Sequence, residues 1–176
     1  MQGTLSDTGL LRIAIFQGMT EQELKHVVDL ADEIEFAPGE VILREGKRSQ
    51  NIWIVTQGDC EVLKRLDDGD ETVLATLESP SIFGEMSFFY PAPHSASVRA
   101  LGEMRVLRIR REQYDLMVQQ NNGAALKLAF NLANVLSERL RRMDDWVAQL
   151  IHEHADDGKK TEWRDFRAKL YGDWNI

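Results

Sequence analysis

Residues Phe83 to Ala100 read FGEMSFFYPAPHSASVRA, and this stretch decides how the rest of the chain is read. Gly84 has no Cβ, so the backbone there can turn sharply or approach a ligand closely. Glu85 offers a carboxylate for hydroxyl groups. Met86 to Phe89 fit a single helical turn, and the free N–H groups at its start, those of Met86 and Ser87, form a small anion site. Pro91 and Pro93 stop the turn. His94 follows, and a returning strand then supplies the hydroxyls of Ser95 and Ser97.

Around this stretch the texture is that of short β-strands. Val41 to Leu43, Ile52 to Thr56, Glu61 to Leu66, Thr72 to Leu77, Ala96 to Leu101 and Arg105 to Ile109 are apolar or alternating runs, nearly all separated by turn residues. Asp67-Asp68-Gly69-Asp70 joins two alternating runs as a β-hairpin. Many short strands at close spacing predict a small antiparallel sandwich or jelly roll.

Helices bracket the β part. Thr20 and Glu23 have the capping-box spacing, and Leu24, Val27, Val28 and Ala31 mark one face of a short helix that is expected to end near Ile34. A second helical run begins at Arg111. After Asn121-Asn122-Gly123 a long helix is expected to run to about His154. In it Leu126, Ala129, Ala133, Leu136, Leu140, Met143, Val147, Leu150 and His154 alternate at spacings of three and four, which is a heptad seam. In a parallel pair of such helices Arg139 would face the partner's Asp144. A homodimer through residues 126–154 is therefore expected; the plainer alternative is that the stripe packs on its own β-domain. The tail, 156–176, opens on the polar Asp156-Asp157-Gly158-Lys159-Lys160 and continues with a short helix capped by Thr161, bearing Trp163, Phe166 and Leu170 on one side.

The stretch around Gly84 resembles the phosphate-binding cassette of the cyclic nucleotide-binding domain family, of the catabolite activator protein and kinase regulatory subunit type. Phe83-Gly84-Glu85-Met86-Ser87 and Ser95-Ala96-Ser97-Val98-Arg99-Ala100 match the family pattern in type and spacing. So do Ile15-Phe16 with Gly18-Met19, Phe36 to Ile42, Arg44-Glu45-Gly46, and Gly58 after Trp53-Ile54-Val55. The resemblance implies an eight-stranded β-roll with flanking helices over residues 1–123, a long helix over 124–155 serving as dimer interface and lid, and a short tail. It also implies that Glu85 accepts from a ribose hydroxyl, that the N–H groups of Met86 and Ser87 face a phosphate, and that Arg139 is a candidate to stack on a purine.

The chain departs from the family pattern in two places. Ser79-Pro80-Ser81 stands where the family commonly has a Gly-Asp or Gly-Glu pair. His94 stands where the family has its phosphate-binding arginine. An arginine brings a permanent charge and a fork of donors matched to phosphate. An imidazole, with a reference pKa of about 6.5, is mostly neutral at pH 7. Losing one or two charge-assisted bonds of about 1.5–3 kcal/mol each weakens phosphate binding by roughly tenfold to a few thousandfold.

Composition bounds the remaining function classes. Of 176 residues, 21 are Lys or Arg and 29 Asp or Glu, for a net charge of −8, so a chain-wide basic surface for nucleic acid is absent. Twenty-two residues follow His154, too few for the appended DNA-binding domain of the family's transcription factors. One cysteine, Cys60, allows no internal disulfide, and the four histidines form no metal-ligand spacing. No nucleophile elbow is present. With no apolar run of membrane-spanning length and no leader-like N-terminus, the expectation is a cytoplasmic regulatory protein that is not an enzyme and holds no metal or cofactor. Its ligand would be cyclic AMP, cyclic GMP or a related nucleotide; the alternative is a ligand-independent docking module with a protein partner.

Overall fold

A computed structural model describes residues 10–66, 69–154 and Trp163. Helix α1 (Glu21–Leu30) is followed by strands β1 (Asp32–Phe36), β2 (Val41–Leu43), β3 (Asn51–Gln57), β4 (Asp59–Arg65), β5 (Glu71–Glu78) and β6 (Ser81–Phe83). Then come the short helix α2 (Glu85–Phe89), strands β7 (Ser97–Ala100) and β8 (Met104–Arg110), helix α3 (Arg111–Gln119) and the long helix α4 (Gly123–His154). The eight strands form two antiparallel four-stranded sheets, ordered β1-β8-β3-β6 and β2-β7-β4-β5, and the fold is a β-roll with flanking helices.

Helix α1 starts where its capping box predicts. Glu23 N–H donates to Thr20 Oγ1 at 3.2 Å, and Thr20 N–H donates to the Glu23 carboxylate at 2.7 Å. It stops at Leu30, earlier than the sequence suggests, because Asp32 to Phe36 pair with β8 from Asp32↔Arg108 to Phe36↔Met104. Glu33 and Glu35 are exposed while Ile34 and Phe36 turn inward onto the roll, a period of two that the overlap of Asp32 to Ile34 with a helical stripe conceals. Strand β6 is a second element not separable in the sequence, being three residues that run straight into the cassette.

The two sheets differ in what covers them. In the β1-β8-β3-β6 sheet, Ile52, Ile54, Ile82, Leu107 and Ile109 pack with helical residues such as Leu24, Val27, Met117, Leu128 and Leu132, while Trp53, Val55, Phe83, Met104 and Val106 face the other sheet. Being buried on both faces, β3 reads as the unbroken run Ile52-Trp53-Ile54-Val55. The β2-β7-β4-β5 sheet buries mainly one face: Leu43, Cys60, Val98 and Ala100 point into the roll, and β5 is exposed along almost its whole length.

The first turns of α4 belong to the core. Ala124, Ala125, Leu128 and Leu132 are buried, and the buried Asn131 side chain donates to the carbonyls of Ile15 and Gln17, both at 2.9 Å. Lys127 reaches the Glu23 carboxylate at 2.7 Å. The structure divides into two units after Val135. Of the heptad stripe, Ala129 packs against the core, while Leu126, Leu140 and Met143 are exposed. The expected tail helix lies outside the described residues apart from Trp163, as do the first two residues of the hairpin turn. No described helix is long and apolar enough to cross a membrane.

Candidate functional site

The cassette is built on a left-handed glycine. Gly84 caps α2 with φ +85, and a Cβ there would lie 2.5 Å from the Asn51 carbonyl oxygen and 3.0 Å from the Trp53 ring. Only glycine satisfies both demands at once. The turn that follows is anchored by its third and fourth residues. Ser87 and Phe88 are buried, and Phe88 meets Phe89 and Tyr114 edge-on, at 4.9 and 5.5 Å between centroids. The Phe88 carbonyl accepts from the Gln50 amide at 2.7 Å and from Arg111 at 3.3 Å. The Arg111 guanidinium also lies over the faces of Phe88, Phe89 and Tyr114. Glu85 is buried beside the glycine, and Met86 is exposed.

His94 is buried too, at 7% exposure, and its ring is held from both sides. Nε2 lies 2.8 Å from Ser49 Oγ and Nδ1 lies 3.1 Å from Ser87 Oγ. Ser87 Oγ in turn donates to the Gly84 carbonyl at 3.4 Å. A neutral imidazole fits this run of groups: Ser49 donates to Nε2, Nδ1–H donates to Ser87, and Ser87 donates to Gly84. Burial lowers the pKa of His94 below its ordinary value, which keeps the ring neutral at pH 7. The main chain repeats the clamp. His94 N–H donates to the Lys47 carbonyl at 2.8 Å, and Gly46 N–H donates to the His94 carbonyl at 2.9 Å. His94 thus fastens the β2–β3 loop to the cassette turn.

The two serines after His94 part company. Ser95 is exposed, and its carbonyl accepts from Lys64 at 2.7 Å. Ser97 precedes Val98, which enters the inter-sheet core, so alternation turns Ser97 to the opposite face. There its Oγ accepts from Glu45 N–H at 3.0 Å. Ser87 and His94 are therefore brought together, while Ser97 braces the neighbouring loop from the outer face. Arg139 is exposed and belongs to the second unit. Ser49, Gln50 and Arg111 were not singled out in the sequence. They lie 45, 38 and 23 residues from the groups they hold, separations at which only the closed sheet creates the contact. Cys60 is buried in the roll, where burial pushes its thiol up to about 11, so it carries no thiolate chemistry near neutrality. Among the described residues no group of side chains is placed to hold a metal ion.

Residues 33–121, which take in all eight strands but the first residue of β1, match the model of the cyclic nucleotide-binding domain. The chain belongs to that family. A "CRP-like cAMP-activated global transcriptional regulator" of Mycobacterium tuberculosis is 27% identical over 145 residues, 82% of this chain and 63% of that protein. A cAMP-dependent protein kinase regulatory subunit of Mycosarcoma maydis is also 27% identical, over 84% of this chain and 27% of its own length. Among solved structures, the Thermus thermophilus catabolite activator protein superposes with a TM-score of 0.70 at 27% identity, covering 78% of this chain and 62% of that one. The chain thus spans under two thirds of the bacterial regulators it matches. The family's fold is shared, and by their names these relatives are regulators.

Proposed function

We propose that this chain is a regulatory module that senses cyclic AMP or a related phosphate-bearing nucleotide through a cassette in which geometry has been kept and charge given up. The observation that carries this reading is the backbone at Gly84: φ +85, packed against Asn51 and Trp53, with Glu85 and Ser87 buried behind it. A carboxylate at 3% exposure next to a left-handed glycine stands where recognition of a hydroxyl would use it. In this reading the N–H groups of Met86 and Ser87 and the hydroxyl of Ser95 meet the phosphate, Glu85 takes a ribose hydroxyl, and His94 holds the turn from behind. The stability of the folded chain is then expected to rise with added cyclic AMP in proportion to the logarithm of concentration over Kd. A thermal-shift titration with cyclic AMP, cyclic GMP and a cyclic dinucleotide measures this, and no shift with any of them at millimolar concentration refutes it.

One observation favours a second reading, that of a ligand-independent docking module. Both ring nitrogens of His94 are already satisfied within the protein, so the site is at rest without an anion. The same titration decides between the two. For either reading we propose a parallel homodimer in a reducing, cytoplasmic setting, supported by the exposed Leu126, Leu140 and Met143 of the α4 stripe. Leu140→Glu puts a charge into that seam and is expected to give monomers in sedimentation; a wild-type chain that sediments as a monomer at tens of micromolar overturns the dimer.

A further inference from the structure

The outer face of the β2-β7-β4-β5 sheet carries a recess of about 250 Å³ that is separate from the cassette interior. Its floor is aliphatic, made by Val41 and the buried Leu63. Arg44, Lys47, Arg65 and Arg99 line it against the carboxylates of Glu45 and Glu71, so cations prevail locally in a chain whose net charge is −8. The carboxylates are already engaged. Glu45 holds Lys64 and accepts from Arg65 N–H at 2.9 Å, and these contacts keep its carboxyl below the usual range. Glu71 lies 3.7 Å from Arg99, whose fork is fixed by Glu61 at 2.6 Å. Arg44 and Lys47, by contrast, are exposed and make no ion pair among the described residues.

The backbone of the loop that presents these two cations is anchored. It is tied to Ser97 through Glu45 N–H and to His94 through two main-chain hydrogen bonds. Unpaired cations above an apolar floor suit a ligand that is anionic at one end and apolar at the other, and the anchored backbone limits the ordering needed on binding to the two side chains. A guanidinium pairs with phosphate in a two-point fork, and an ammonium adds a point charge. The volume of about 250 Å³ lies below that of sites for drug-sized molecules and suits a small body.

We propose that this recess binds a small organic phosphate monoester, with the phosphate between Arg44 and Lys47 and the organic body on Val41 and Leu63. The experiment titrates the full chain with phenyl phosphate, inorganic phosphate and phenol by calorimetry, with and without saturating cyclic AMP. Saturable binding of phenyl phosphate is expected, at least several-fold tighter than inorganic phosphate, with none for phenol and no competition from cyclic AMP. The double variant Arg44→Glu with Lys47→Glu is expected to weaken it about tenfold or more, and Arg44→Gln with Lys47→Gln serves if the first does not fold. Absence of phenyl phosphate binding, equal binding of inorganic phosphate, displacement by cyclic AMP, or unchanged affinity in the folded variant overturns the proposal. The phenyl phosphate, inorganic phosphate and variant titrations without cyclic AMP do not depend on whether cyclic AMP binds the cassette.

Discussion

The two arms of the cassette face each other across one buried serine, and they have been treated differently. The outgoing arm, Phe83 to Ser87, keeps every feature that fixes its backbone: a left-handed glycine, a buried carboxylate and a hydroxyl turned inward. The returning arm, His94 to Ser97, has an imidazole at the position where the family pattern places a guanidinium, and that imidazole is bonded to Ser49 and Ser87. The first arm is constrained by sterics, which admit one residue type. The second is constrained by hydrogen bonding, which admits any group that satisfies the serines, charged or not. Shape and charge in one site can therefore change independently.

The comparison breaks most visibly at the glycine. Gly84→Ala forces a Cβ to within 2.5 Å of the Asn51 oxygen at a positive φ, and about 2–5 kcal/mol of destabilisation is expected, or roughly 5–15 °C in melting temperature. A variant melting like the wild type would show that the turn relaxes and that the outgoing arm is not sterically fixed. Removing one serine of the clamp is the next largest effect. Ser49→Ala leaves a buried imidazole nitrogen unpaired and is expected to cost about 1–3 kcal/mol; denaturant unfolding measures it, and no loss would mean that the clamp is ornamental.

His94→Arg tests charge directly. It is expected to tighten cyclic AMP by about tenfold, equivalent to about 1.4 kcal/mol, while lowering the stability of the free chain, because the guanidinium enters a buried position without an anion. Calorimetry and melting on the same sample read both effects; unchanged affinity would show that the returning arm limits binding by its path and not by its charge. The smallest effect is that of acid. The folded pKa of His94 lies below its unfolded value, so the unfolded chain takes up the proton first as pH falls. The contribution of the neutral ring is therefore full above about pH 6.5 and is lost as pH falls through the lowered folded value. Melting temperatures from pH 7.5 to 5 should show this loss, reduced in His94→Gln. An equal slope in that variant would assign the acid sensitivity to other groups.

The sequence made some of this visible and hid the rest for definable reasons. The capping box at Thr20 is a contact three residues long, and it forms as spaced. The hairpin partners β4 and β5, from Asp59↔Glu78 to Arg65↔Glu71, are neighbours in sequence and were legible too. Gly84 and Glu85 announced themselves by type. Ser97, however, shares its chemistry with Ser95, and only the pleat, with Val98 turned inward, shows that it faces away from the roll. The distant partners of His94 and of the Phe88 carbonyl could not be read at all, since Ser49, Gln50 and Arg111 meet them through the closure of two sheets. Arg111 in particular looks in the sequence like an ordinary residue of a helix start.

That arginine and Gln50 make the Phe88 carbonyl a shared latch. The two donors come from different elements, one from the loop before β3 and one from the start of α3, and both converge on a single oxygen. A tilt of α2 would act on both bonds and on the two phenyl rings beneath the guanidinium. The turn that carries Met86 and Ser87 is thus seated by two elements that lie outside the cassette.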